Sequence, residues 1–308
     1  MSLAWPDIVK AHEPVSQEEV RLTVKRQPAI PNLLLALVLS ACANSPTSSS
    51  PEDVPDTEVP PGLTNLLRFD GVDDRVTVPY DASFPTEVFT IAAEIKLTQP
   101  AGRAAVIARG EDDNSFNLSW QLYVTPSGNL EVMLEDSRES NFCYPLNNCA
   151  PRGSCTFGDL SVADDAWHHV AASRTGDGTL TLYIDGESRA TCTGTGVPSS
   201  NNFQAMSIGS TFGTIGPPPG GVEPPTWFFP GLIDDPAVWN VALTPAQIAD
   251  AASLGVDEQS AGLVGYWNFD EGAGQDVMDL SPAGNDGFRG ANAAPDSADP
   301  TWEAEEGT

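Results

Sequence analysis

The run Trp167 to Cys192, WHHVAASRTGDGTLTLYIDGESRATC, constrains this chain more tightly than any other stretch, because it reads as three consecutive antiparallel strands. Leu180, Leu182 and Ile184 alternate with Thr181, Tyr183 and Asp185, the period of a strand with one face toward a core. Asp185-Gly186 suits a two-residue type I′ turn: Gly takes positive φ without steric cost and Asp tolerates it. Glu187 to Cys192 should therefore pair back on Thr179 to Ile184, with Trp167 to Ser173 as the first strand of a meander. Neighbouring strand residues face opposite ways, so His168 and His169 cannot share a ligand and are read as scaffold.

From Leu63 onward, short strand-like runs follow one another with turn signals between them, which argues a sandwich or barrel. Leu66 to Phe69, Arg75 to Val78, Phe89 to Lys96, Ala104 to Arg109, Trp120 to Val124 and Leu130 to Leu134 carry strand residues at alternating positions. Thr244 to Ser253 is the exception. Thr244 is a good N-cap, Pro245 suits the first helical position and Gln247 stands at the capping-box place, so one short helix is expected.

Ahead of this domain, Ala29 to Ala41 is an apolar run too short to span a bilayer comfortably, preceded by Lys25-Arg26 and ended by small residues. That is the pattern of a secretory signal peptide. Its ending, Leu39-Ser40-Ala41-Cys42, resembles the lipobox of bacterial lipoproteins, which implies lipidation of Cys42 and anchorage to the cell envelope, with the outer membrane the expected location. Residues 1–42 are thus expected to be a leader. Met1 to Val24 fits no part of a signal peptide, which puts the expected start of translation near Val20 or Val24. Residues 43–62, rich in Ser, Pro and acidic side chains, cannot bury enough to fold and are expected to be a tether to a domain at 63–308.

Before Cys42, Asp7, Glu13, Glu18 and Glu19 are matched by Lys10, Arg21, Lys25 and Arg26, so the whole formal charge of −29 sits after it. Such a field repels nucleic acid and anionic headgroups and favours divalent cations. Contact with a membrane is therefore expected only through the lipid anchor. Cys143, Cys149, Cys155 and Cys192 form an even set suited to two disulfides in an oxidising compartment. Three connectivities are open, the favoured one being Cys143–Cys149 with Cys155–Cys192. The spacing lacks the short paired knuckle of a structural zinc site.

Several pieces fall in a recognisable order: Leu67-Arg-Phe-Asp-Gly-Val-Asp-Asp-Arg-Val76, Phe89 to Lys96, Trp167-His-His-Val-Ala171, Leu182-Tyr-Ile-Asp-Gly186, Gly231-Leu-Ile-Asp-Asp235 with Val238-Trp-Asn240, and Gly262 to Gly274. Together they resemble the laminin-G-like, concanavalin A-like jelly-roll domains, over roughly Leu63 to Trp302. The resemblance implies an all-β, two-sheet antiparallel jelly-roll sandwich with one short helix. It also implies a structural calcium between the first and last strands, with Asp70, Asp74 and Asp234 as candidate ligands. At Asp234-Asp235-Pro236 the chain departs from the family's acidic pair followed by an apolar residue, and Pro236 should put an edge or bulge there.

No catalytic residue is assigned. The Glu-x-Asp-x-x-Glu run of polysaccharide hydrolases on this sandwich is missing, and Glu131 and Glu135 are read as a solvated strand face. Trp167, Trp239 and Trp267 are expected in the core, while Trp120 and Trp227-Phe228-Phe229 are open between core and ligand surface. The expected function is noncatalytic: a lipid-anchored surface module binding a glycan or an extracellular protein through residues the sequence does not identify. A glycan-active enzyme on the same sandwich is the alternative.

Overall fold

The computed structural model describes residues 65–110, 120–135, 142–143, 154–157, 159–193, 205–211 and 226–304. The expected signal peptide, Cys42, the tether, Cys149, and the side chains of Cys143 and Cys155 lie outside this description.

Two antiparallel sheets face each other. One runs, edge to edge, through β17 (Thr301–Ala304), β1 (Asn65–Asp70), β13 (Pro230–Trp239), β3 (Phe89–Thr98), β9 (Asp164–Arg174), β10 (Leu180–Ile184), β11 (Glu187–Thr193) and β8 (Ser154–Phe157). The strand β14 (Leu263–Tyr266) also pairs with β13. The other sheet runs through β15 (Asp276–Val277), β16 (Gly287–Arg289), β2 (Val76–Val78), β12 (Met206–Ile208), β4 (Ala104–Arg109), β5 (Trp120–Val124), β6 (Leu130–Glu135) and β7 (Phe142–Cys143). Strand alternation decides which residues meet between them. Leu67, Phe69, Ile91, Ile95, Trp120, Leu122, Val170, Leu182 and Trp267 all belong to one buried cluster. Truncating one such aliphatic residue to Ala should cost roughly 2–5 kcal/mol through lost burial and the cavity left behind.

The expected meander is present, with β9 starting three residues earlier than the sequence suggests. Asp185 (φ 54) and Gly186 (φ 75) make the tight turn between β10 and β11. The one helix among the described residues, α1 (Pro245–Leu254), opens with the expected capping box between Thr244 and Gln247. It lies on the outer face of the β13 sheet, where Ile248 joins Trp239, Leu243 and Tyr266 in a second cluster. That sheet is called here the helix-side sheet, and its partner the far sheet. Gly209, between β12 and the return toward β13, has φ +82, and a Cβ there would stand 2.3 Å from the Phe69 ring.

Of the tryptophans, one left open by the sequence is settled and one expected in the core is not there. Trp120 is fully buried against Phe89, with ring centroids 5.7 Å apart. Trp167 is only part-buried near the start of β9, where three exposed residues precede it. Pro236 produces the expected bulge, a register shift between Asp234 and Ala237 on the β3 side. It does not produce an edge, because β13 is paired on both sides.

Candidate functional site

Three polar groupings stand out. The first is on the outer face of the far sheet. On β5, Gln121 and Tyr123 point away from the core that takes Trp120, Leu122 and Val124. Tyr123 packs against Trp227, with centroids 5.2 Å apart at 50°. The Arg103 guanidinium lies 4.8 Å over the indole, and the Tyr123 hydroxyl donates to Glu131 at 2.6 Å. Trp227 has φ 56, a costly backbone for a bulky residue, and its carbonyl accepts from Ala105 N–H at 2.7 Å. The indole is thus fixed on the sheet while staying part-exposed. On the same face of β5, Gln121 is fully buried, and neither of its amide atoms finds a hydrogen-bond partner among the described residues. Leaving such a group unpaired costs roughly 1–3 kcal/mol. Glu131 therefore serves the Tyr123 hydroxyl; the side chain of Glu135, its expected companion, lies outside the description.

The second grouping is the turn after β1. Asp70, Asp73 and Asp74 each offer a carboxylate oxygen, and these atoms lie within 4.8 Å of one another. Asp74 Oδ2 accepts from Asp70 N–H at 2.7 Å, Asp70 Oδ1 from Val72 N–H at 2.7 Å, and Asp73 Oδ2 from Ser297 Oγ at 2.9 Å. These bonds shape the turn and tie it to the segment around Ser297. Burial, then the charges of Asp70, Asp73 and Asp299, push Asp74 up to about 6. An all-oxygen set under like-charge repulsion fits a hard cation such as calcium. Asp234 is not part of it. Asp70 stands opposite Pro230 on β13, and Asp234 is four residues further along, roughly 13 Å at strand rise. Asp73, which the sequence reading left out, takes its place because the turn folds back on itself.

The third grouping joins Asp234 and His169, which the sequence keeps in separate roles, through Glu94. On the outer face of the helix-side sheet, Glu94 faces Asp234 on one side and His169 on the other. Burial, then the charges of Asp235 and Asp185, raise Glu94 to about 7. Burial lowers His169 to about 4. Asp235 (φ 49) sits in the β13 bulge and accepts from the Tyr266 hydroxyl at 2.7 Å, while burial and that carboxylate hold Tyr266 protonated far above its ordinary range. Asp185 accepts from His169 N–H at 3.2 Å and lies 3.0 Å from His168 Nδ1; His168 Nε2 lies 3.1 Å from Asp164.

Two stacked antiparallel sheets with a helix on one outer face define a lectin-type sandwich, and the sequence match agrees. Residues 70–249 match the family model described as the concanavalin A-like lectin/glucanases superfamily, and the chain belongs to that family. A protein from Bacteroides ovatus, provisionally described as carbohydrate binding, superposes with a TM-score of 0.53 at 21% identity, over 79% of this chain and 60% of its own. This chain therefore spans less than two thirds of that protein. A heptameric SAP-like pentraxin from Limulus polyphemus gives 0.40 at 20% identity, over 62% of this chain and 82% of its own. The CBM40 of Ruminococcus gnavus IT-sialidase gives 0.41 at 17%, over 60% and 97%. Among curated protein sequences, none matches the chain.

Proposed function

We propose that this chain is a noncatalytic module of the bacterial cell envelope, lipid-anchored through Cys42, that binds a glycan on the outer face of its far sheet. The Trp227 cluster carries the reading. A glycan site needs an apolar platform for the sugar's C–H face and a few fixed polar groups for its hydroxyls. Trp227 supplies the platform, stiffened by Arg103 and Tyr123, and Glu131 supplies a carboxylate acceptor beside it. The fold by itself hosts lectins and enzymes alike, so the face and not the architecture supports this choice. A calcium ion held by Asp70, Asp73 and Asp74 would pin the turn after β1 to the segment around Ser297, a structural role away from the ligand.

Glycan-array binding by the full chain tests the reading. Trp227→Ala should lose at least tenfold in affinity, with the melting temperature nearly unchanged because the indole is part-exposed. Undiminished binding by that variant, or hydrolysis of the bound polysaccharide by the unmodified protein, overturns it.

A further inference from the structure

Asp234, Glu94 and His169 stand directly opposite one another on β13, β3 and β9, and the row ends at Asp185, whose N–H donates to the His169 carbonyl at 2.8 Å. Opposed residues of antiparallel strands share a face, with Cβ atoms roughly 4.5–5.5 Å apart. We propose that this row is a second metal site, taking a divalent cation of the zinc type with Glu94 and His169 as ligands and Asp185 and Asp235 as counter-charge.

The His169 ring points to a ligand independently of the acidic residues around it. The residue is 7% exposed, and its Nδ1 has no hydrogen-bond partner. A buried imidazole nitrogen left bare is costly, and imidazole nitrogen is a common ligand for such cations. The row is held in place by its neighbours. Asp185 accepts from the His169 backbone N–H, Tyr266 holds Asp235, and His168 is clasped between Asp164 and Asp185. Among the described residues only the Asp70 turn already gathers three ligand atoms within 4.8 Å, so uptake here requires Glu94 to swing. No hydrogen bond holds its carboxyl among the described residues. Donor chemistry separates the two sites: imidazole with carboxylate suits zinc and its neighbours, whereas calcium takes oxygen alone. Zinc would keep water in its remaining positions.

The test is equilibrium dialysis of the chelator-stripped full chain against zinc in excess calcium. Zinc bound per chain should fall by one in Glu94→Gln and in His169→Gln, and stay unchanged in Asp74→Asn. Glu94→Gln removes a like charge, so it should melt no lower than the unmodified protein in chelator, which rules out unfolding as the cause of its loss. Full zinc uptake by either variant of the pair overturns the proposal. Cobalt loaded onto the unmodified protein gives a check that needs no variant. Absorption typical of nitrogen and oxygen ligation supports the site, and thiolate charge-transfer bands as the sole signal overturn it.

Discussion

The His168 imidazole sits 3.0 Å from the Asp185 carboxylate, although His168 belongs to β9, Asp185 lies in the turn after β10, and His169 points the other way along β9. Asp185 reaches both histidines because it occupies the first position of the turn after β10. Its positive φ frees the side chain to fold back over β9. One carboxylate thereby ties the turn to two successive residues of the neighbouring strand.

Replacing Asp185 by Asn keeps a residue that tolerates the turn but removes the charge. Partial burial alone would lower the pKa of His168, yet hydrogen bonds and charge from Asp185 and Asp164 hold it above its ordinary value. The variant should bring the His168 titration down, as followed by NMR of the ring protons. A raised histidine adds stability that is full below about 6.5 and is lost as pH rises through the folded value. Asp185→Asn should therefore lose stability mostly below neutral pH and little at pH 9.

Glu94 gives a slope of its own. Its folded value of about 7 lies above the ordinary glutamate value of 4.5, so over that interval the folded chain keeps a proton the unfolded chain has released. Stability should fall as pH rises from about 4.5 to about 7. In chelator, Glu94→Gln should match the unmodified protein near pH 4 and exceed it near pH 8, by urea denaturation. His169 acts in the opposite sense between about 4 and 6.5, so the difference between the two proteins, not either curve alone, isolates Glu94.

For the Asp70 turn, calcium should raise the melting temperature, because the ion relieves the repulsion that lifts Asp74 to about 6. Asp74→Asn should raise the ion-free melting temperature slightly and abolish most of the calcium response. Asp234→Asn should leave that response intact; a calcium response that vanished with Asp234 alone would restore it to the site.

Across the edge of the helix-side sheet, Cys155 stands opposite Cys192 in the ladder between β8 and β11. Directly opposed Cα atoms are roughly 4.5–5.5 Å apart, within the span a disulfide bridges. Non-reducing peptide mapping of the protein produced under oxidising conditions should recover a Cys155–Cys192 peptide pair. Recovery of Cys155 joined to Cys143 or Cys149 instead would refute this pairing.

Much of the fold was legible because its signals are local. The alternation of Leu180, Leu182 and Ile184, the Asp185-Gly186 turn and the Thr244–Gln247 capping box each involve residues a few positions apart, and each is found as expected. The sites were less legible because they depend on register between distant segments. Glu94 reads as an ordinary outward-facing strand residue. Its burial arises only when β13 and β9 close in on both sides of β3. The family resemblance pairs Asp234 with Asp70, yet the ladder sets Pro230 opposite Asp70. Trp227 drew attention as an aromatic beside a proline loop, but its partners Tyr123 and Arg103 lie more than a hundred residues earlier.

The placement of β1 has a mechanical consequence. It is bonded to β17 along one side and to β13 along the other. A pull transmitted into the domain from the residues before Asn65 cannot peel that strand from an edge. It must slide β1 lengthwise out of a slot, breaking two rows of hydrogen bonds at once, and a domain loaded in this way resists drag far better than one hung from a border strand.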